Sequence, residues 1–216
     1  MAVQTEGARL GDWLKWEMDG RMSRKTVTVG AGNLVSGTVM GKITLGAATA
    51  TAFTHNAANT GTCGEVTVGA GAKVGTYKVV IIEPGSNAGK FTVEDPDGIT
   101  VGVGTVAAAF SGGGLGFTIA DGTQDFISGE GFSIAVAAGT GNYIALDDDA
   151  TDGSTVAAGI LVEDVDASSA AKEGVIIYRN ARIDTRNLTW ADASSGAKTA
   201  ALAVLETAGI VAGELG

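Results

Sequence analysis

The chain has one cysteine, Cys63, and one histidine, His55, among 216 residues. A lone thiol closes no intrachain disulfide and builds no cysteine metal cluster, so Cys63 reads as a small apolar filler or an incidental loop thiol. A lone imidazole ties any nucleophilic triad to His55, which sits in a low-information Thr-Ala-Asn run with no Gly-x-Ser-x-Gly elbow beside it. Aromatic residues make up 6% of the chain, a thin supply for the platforms on which glycosidases hold sugars, and the carboxylates mostly fall in turns. A hydrolase would have to draw on Asp121 and Asp125. The sequence therefore reads as non-enzymatic.

Positive charge is also scarce. Lys and Arg number 14 against 24 Asp and Glu, a net charge of −10, which argues against binding nucleic acid by phosphate neutralisation. Two long uncharged runs, 43–64 and 99–120, are broken by Gly and Thr and lack the dense Leu, Ile and Phe of a membrane-spanning helix. Glu6, Arg9, Asp12, Lys15 and Glu17 stand where a signal peptide needs an apolar core. The expectation is a protein made and kept in the cytoplasm until it joins something.

What the chain does have is glycine, 34 residues of it against 2 prolines, with abundant Thr and Val and no three-residue glycine period. That combination favours short strands and tight turns. An apolar content of 45% is ample for a packed core. The first 25 residues hold Trp13 and Trp16, with Leu14, Trp16 and Met18 alternating with Lys15 and Glu17. A period of two suits an extended arm laid on a sheet, either the protein's own or a partner's. Strand patterns follow at 26–29, 34–40 and 42–45. The run Gly30-Ala31-Gly32 lacks the third glycine and the following helix of a dinucleotide fingerprint.

From 66 to 136 the chain shows six further strand patterns at short, regular spacing, bounded by Gly, Asn and Asp-Gly turns, as in a β-sandwich or small barrel. Within it, Phe91-Thr92-Val93-Glu94-Asp95 is echoed by Phe117-Thr118-Ile119-Ala120-Asp121; two copies are too few for a solenoid. The segment 50–64 reads as a linker or weak edge strand. Three acidic places, Asp147-Asp148-Asp149 with Asp152, Asp95-Pro96-Asp97-Gly98, and Asp121 with Asp125, lack the ligand alternation of an EF-hand loop and read as turns rather than metal sites. One helix is expected at the C-terminus, capped by Ser194 or Ser195, with Ala197, Ala201, Leu202, Leu205 and Ala208 on one face and Gly209 as its stop.

The order of elements from Tyr143 to Ile210 resembles the head decoration proteins of tailed bacteriophages, the family of the lambda decoration protein D. The resemblance rests on Asp152-Gly153-Ser154, Ala158-Gly159-Ile160-Leu161, Tyr178-Arg179, Leu188-Thr189-Trp190 and the closing helix ending Ala208-Gly209-Ile210. It extends upstream to 23–29 and 34–44. It implies a small β-rich, β-tulip-like domain with one C-terminal helix, an α+β fold that is mainly β. In simple family members the strand like Gly41-Lys42-Ile43-Thr44 is soon followed by the one like Asn142 to Leu146. Here about a hundred residues intervene, as an insertion at a hairpin tip would. The expected organisation is an arm at 1–25, a discontinuous decoration domain at 26–46 and 142–216, and an inserted all-β sandwich or barrel-like domain at 47–141.

The resemblance further implies a structural protein of the virion exterior, with no cofactor, metal or membrane. Its partners would be the major capsid protein and two further copies of itself, as a homotrimer on the shell. Trp13, Leu14, Trp16 and Met18 are the expected capsid or trimer contacts. The first 58 residues carry 6 basic and 4 acidic side chains, whereas 59–145 carry 3 and 8 and 146–216 carry 5 and 12, so the positive end is assigned to the capsid. The rival reading is a surface adhesin whose inserted domain binds carbohydrate.

Overall fold

The structure, a computed structural model, describes residues 9–53, 60–86, 88–191 and 193–213. Strand accounts for 46% of it and helix for 12%, so the fold is mainly β, as expected, with a helix near the C-terminus. The chain divides into two compact units, Met1–Thr44 with Gly141–Gly216, and Leu45–Thr140.

In the first unit, five strands close into a barrel. Their order is Tyr143–Ala145, Arg24–Val29, Lys172–Ile177, Ala157–Leu161 and Val39–Lys42, which pairs back onto Tyr143–Ala145. Alternation decides which side chains go inside. Val27 and Val29 are buried while Thr28 between them is exposed, and they meet Met40, Tyr143, Leu161 and Ile176 in one apolar cluster. Closure leaves no free strand edge in the barrel. Gly41 is required by close approach: a Cβ there would lie 1.9 Å from the Ser154 carbonyl oxygen, so the 147–154 turn rests directly on the strand backbone.

A second cluster lies between the barrel and the elements that cover it. Trp13, Leu146, Ile160, Ile177, Ala181, Ile183, Ala201, Leu205 and Ile210 contribute to it. The helix Ser195–Thr207 supplies Ala201 and Leu205 from its buried face. Ser194 caps it, accepting from the Ala197 N–H at 3.2 Å, and Gly209 at φ +77° ends it. The N-terminal segment departs from a simple extended arm: the strand Leu14–Glu17 is flanked by single-turn helices, Leu10–Trp13 and Gly20–Ser23. Short carboxylates make these turns possible, since Asp12 accepts from the Arg9 N–H at 2.9 Å and Asp19 from the Arg21 N–H at 3.0 Å.

The second unit is two sheets over one core. Five antiparallel strands run in the order Thr100–Thr105, Lys90–Glu94, Gly75–Glu83, Gly131–Ala138, Leu45–Phe53. The other sheet is built from Ala109–Gly112, Leu115–Ala120, Thr62–Cys63 and Thr67–Val68. Tyr77, Val79, Ile81, Phe91 and Ile134 from the first meet Phe110, Leu115, Phe117 and Ile119 from the second. The two copies of the sequence echo fall on opposite sheets, and their rings stack: Phe91 and Phe117 have centroids 5.9 Å apart at 29°. The Ala- and Thr-rich run forms the edge strand Leu45–Phe53. The strand pattern at 42–45 is broken, because the Thr44 N–H donates to the Asp152 carbonyl at 2.8 Å.

Candidate functional site

Three strands of the first unit, Leu14–Glu17, Ala181–Ile183 and Ile210–Ala212, form a small sheet in that order. Its inner face is apolar: Ala181, Ile183 and Ile210 are all buried. The residues between them point the other way. Trp16 pairs in register with Arg182, and Arg182 with Val211, so the three make a row across the outer face. Trp16 is 54% exposed and Val211 41%. Met18, 38% exposed, lies beside the row, its N–H donating to the Asn180 carbonyl at 3.0 Å and its sulfur accepting from Asn180 Nδ2 at 3.9 Å.

Of the four expected contact residues, this geometry exposes two. Trp13 is 0% exposed, and its indole N–H donates to Ser36 Oγ at 3.0 Å. Ser36 Oγ in turn donates to the Val162 carbonyl at 2.8 Å. Leu14 is half-buried against the same core. A buried indole needs an acceptor, and this one has it inside the chain's own fold, leaving Trp16 and Met18 at the surface.

Cations gather around the row although the chain is acidic overall. Arg182, Arg179 and Lys15 form no ion pair among the described residues. Arg179 stacks over the Tyr178 ring at 4.8 Å and donates to the Met22 carbonyl at 2.5 Å. Lys15 Nζ donates to the Gly11 and Asp12 carbonyls. Two other arginines are neutralised. Arg24 clasps Glu17 with Nη2–Oε1 at 2.5 Å and Nε–Oε2 at 3.0 Å, and with the Ser23 hydroxyl it holds the Glu17 carboxyl below its usual range. Arg186 binds Asp184 through Nε at 3.0 Å and Nη2 at 2.9 Å, lowering that carboxyl to about 2. Asp184 and Arg186, with Thr185, Ala212 and Gly213, line a shallow cleft beside the sheet.

The small sheet with its exposed Trp-Arg-Val row packs on the five-stranded barrel and the C-terminal helix through one apolar cluster. The profile described as bacteriophage lambda head decoration protein D matches residues 3–210. The chain belongs to that family. Its role is decoration of a phage capsid, and head decoration proteins are structural rather than enzymatic, bind the capsid and stand on the outside of the virion. Among solved structures the chain is similar to FlgL of Xanthomonas campestris, at 19% identity and a TM-score of 0.33, over 50% of this chain and 34% of that one. A likeness at that level carries no argument. Comparison with curated proteins gives no match.

The acidic clusters of this decoration protein serve backbone hydrogen bonds, most of them within turns. Asp147 accepts from the Asp149 N–H, Asp148 from the Ser194 N–H and Asp152 from the Ser154 N–H, each at 3.0 Å. Asp95 accepts from the Asp97 and Ile99 N–H groups and pairs with Lys73. Asp121 accepts from the Gly122 N–H. No group of three or more metal-ligating side chains forms among the described residues. Cys63 is half-buried, and burial pushes its thiol up to about 11. His55 lies outside the described residues. In the second unit Tyr77, Phe91, Phe110, Phe117, Phe126 and Phe132 are all buried, so these rings offer no sugar platform. No described helix is long and apolar enough to cross a membrane.

The sequence singled out Leu14, Trp16 and Met18 as one alternating face, but a β-bulge between Leu14 and Trp16 turns Leu14 toward the core and Trp16 outward, where Arg182 and Val211, not singled out, share its face. The local signal was present in Ala181-Arg182-Ile183, a charge between two apolar residues in a short strand. Nothing in the sequence said that this strand lies beside Trp16.

Proposed function

We propose that the protein binds the exterior of the expanded phage head as trimers and cements neighbouring major capsid subunits against the pressure of packaged DNA. The first unit carries the contacts, through the outer face bearing Trp16, Met18, Arg182 and Val211. The second unit projects from the shell as an insertion into the decoration domain. The observation that supports this reading is the exposed row itself, in a chain of the head decoration family. Tryptophan, methionine and arginine are the side chains that interfaces concentrate.

The physics of cementing is mass action. A ligand that binds only the expanded lattice stabilises it by its binding free energy at every site. Trimers gain from the shell as well, because sites arrayed around a threefold axis raise the effective concentration of each copy for its neighbours. Co-sedimentation of the purified protein with empty heads, before and after expansion, tests the proposal. Saturable binding to expanded heads alone, at a stoichiometry matching the threefold positions, is the expected result. Absence of binding to both forms would overturn it.

A further inference from the structure

We infer that the capsid surface received by the Trp16–Arg182–Val211 face is acidic around an apolar centre, with Arg182 as the central electrostatic anchor. The inference rests on the capsid contact proposed above and adds the chemistry of the partner. Two arginines without a carboxylate partner among the described residues, Arg179 and Arg182, stand on the middle strand of the row and on its flank, in a chain of net charge −10. Arg24 and Arg186, by contrast, are matched by Glu17 and Asp184. Unmatched charge beside exposed Trp and Val is complementary to carboxylates rimming an apolar patch, and such complementarity chiefly sets association rate and register.

Other occupants fit less well. Two copies meeting through this same face would bring Arg182 against Arg182, a like-charge contact. A nucleic acid backbone wants an unbroken run of cations, whereas Asp12, Glu17 and Asp19 punctuate this segment.

The test is co-sedimentation of the full chain with expanded empty heads over a series of salt concentrations, for the wild type, Arg182→Gln, Arg182→Glu and Trp16→Ala. All three substitutions are at exposed positions, and thermal melts check that each variant is folded. Wild-type binding should weaken as salt rises. Arg182→Gln should flatten that dependence, Arg182→Glu should weaken binding about tenfold or more, and Trp16→Ala should weaken binding while leaving the salt dependence intact. If Trp16→Ala fails to bind but both Arg182 variants behave as wild type, the face is a contact without an acidic partner and the inference falls alone. If Arg182→Glu instead disrupts self-association of the free protein, measured by sedimentation equilibrium, the occupant is a second copy and the inference is overturned. If wild type binds and no variant differs, the capsid contact lies elsewhere. Wild-type failure to bind heads would overturn the decoration mechanism itself.

Discussion

Ile43 and Asn142, far apart in sequence, are backbone partners: the Ile43 N–H donates to the Asn142 carbonyl at 2.9 Å, and the Gly141 N–H donates back to the Ile43 carbonyl at 3.0 Å. The strands behind them continue the pairing, Lys42 opposite Tyr143 and Met40 opposite Ala145. The chain thus leaves the first unit and returns to it through the open end of a hairpin, where added chain costs little closure entropy.

Replacing 45–140 by Asn-Gly should therefore leave a folded first unit that still binds expanded heads. The two-residue turn suits antiparallel strands already in register. Circular dichroism and head co-sedimentation of the shortened protein check this. An insoluble product would show that the inserted unit is integral to the fold of the first.

Trp13 and Ser36 should be energetically coupled. Trp13→Ala empties a fully buried site and should cost about 3–5 kcal/mol. Ser36→Ala removes the acceptor at 3.0 Å from the indole N–H and should cost about 1–3 kcal/mol. Once Trp13→Phe has removed the donor, Ser36→Ala should cost less. Denaturant melts of the double-mutant cycle read the coupling, and strict additivity would show that the hydrogen bond contributes nothing to stability.

Asp184 makes stability dependent on acid. Its carboxyl is held at about 2 by the side-chain hydrogen bonds from Arg186 and the Arg186 backbone N–H, below the ordinary value near 4 of an unfolded Asp. A depressed folded value means the stabilisation is fully present above about pH 4 and is lost as pH falls toward 2. Asp184→Asn should lower the melting temperature at pH 7, and the difference from wild type should shrink through that window. A gap that stays constant from pH 7 to pH 2 would contradict the assignment.

Much of the architecture could be read from residue order. Val27 and Val29 alternate with Thr, so their strand has one buried face wherever it sits. Ser194 and Gly209 bracket a helix by local chemistry, since a cap and a left-handed stop need only their immediate neighbours. The single-turn helices around Trp13 and Met22 were not legible, because one turn has too few residues to show a period. Nor was the course of 43–45, where a long-range bond from Thr44 to Asp152 overrides the local strand pattern.

The amino-acid sequence by itself determined the mainly β class, the C-terminal helix and the alternation of Val27 and Val29, because each depends on local periodicity and capping. Tertiary structure alone decided that Trp13 is committed to Ser36 while Trp16 is left exposed. It also decided that Arg182 and Val211 complete the row beside Trp16. Tryptophans three residues apart with the same intrinsic hydrophobicity part company because Trp13 ends a helical turn packed on the core while Trp16 pairs opposite Arg182 on the outer face, both of them relations between distant segments.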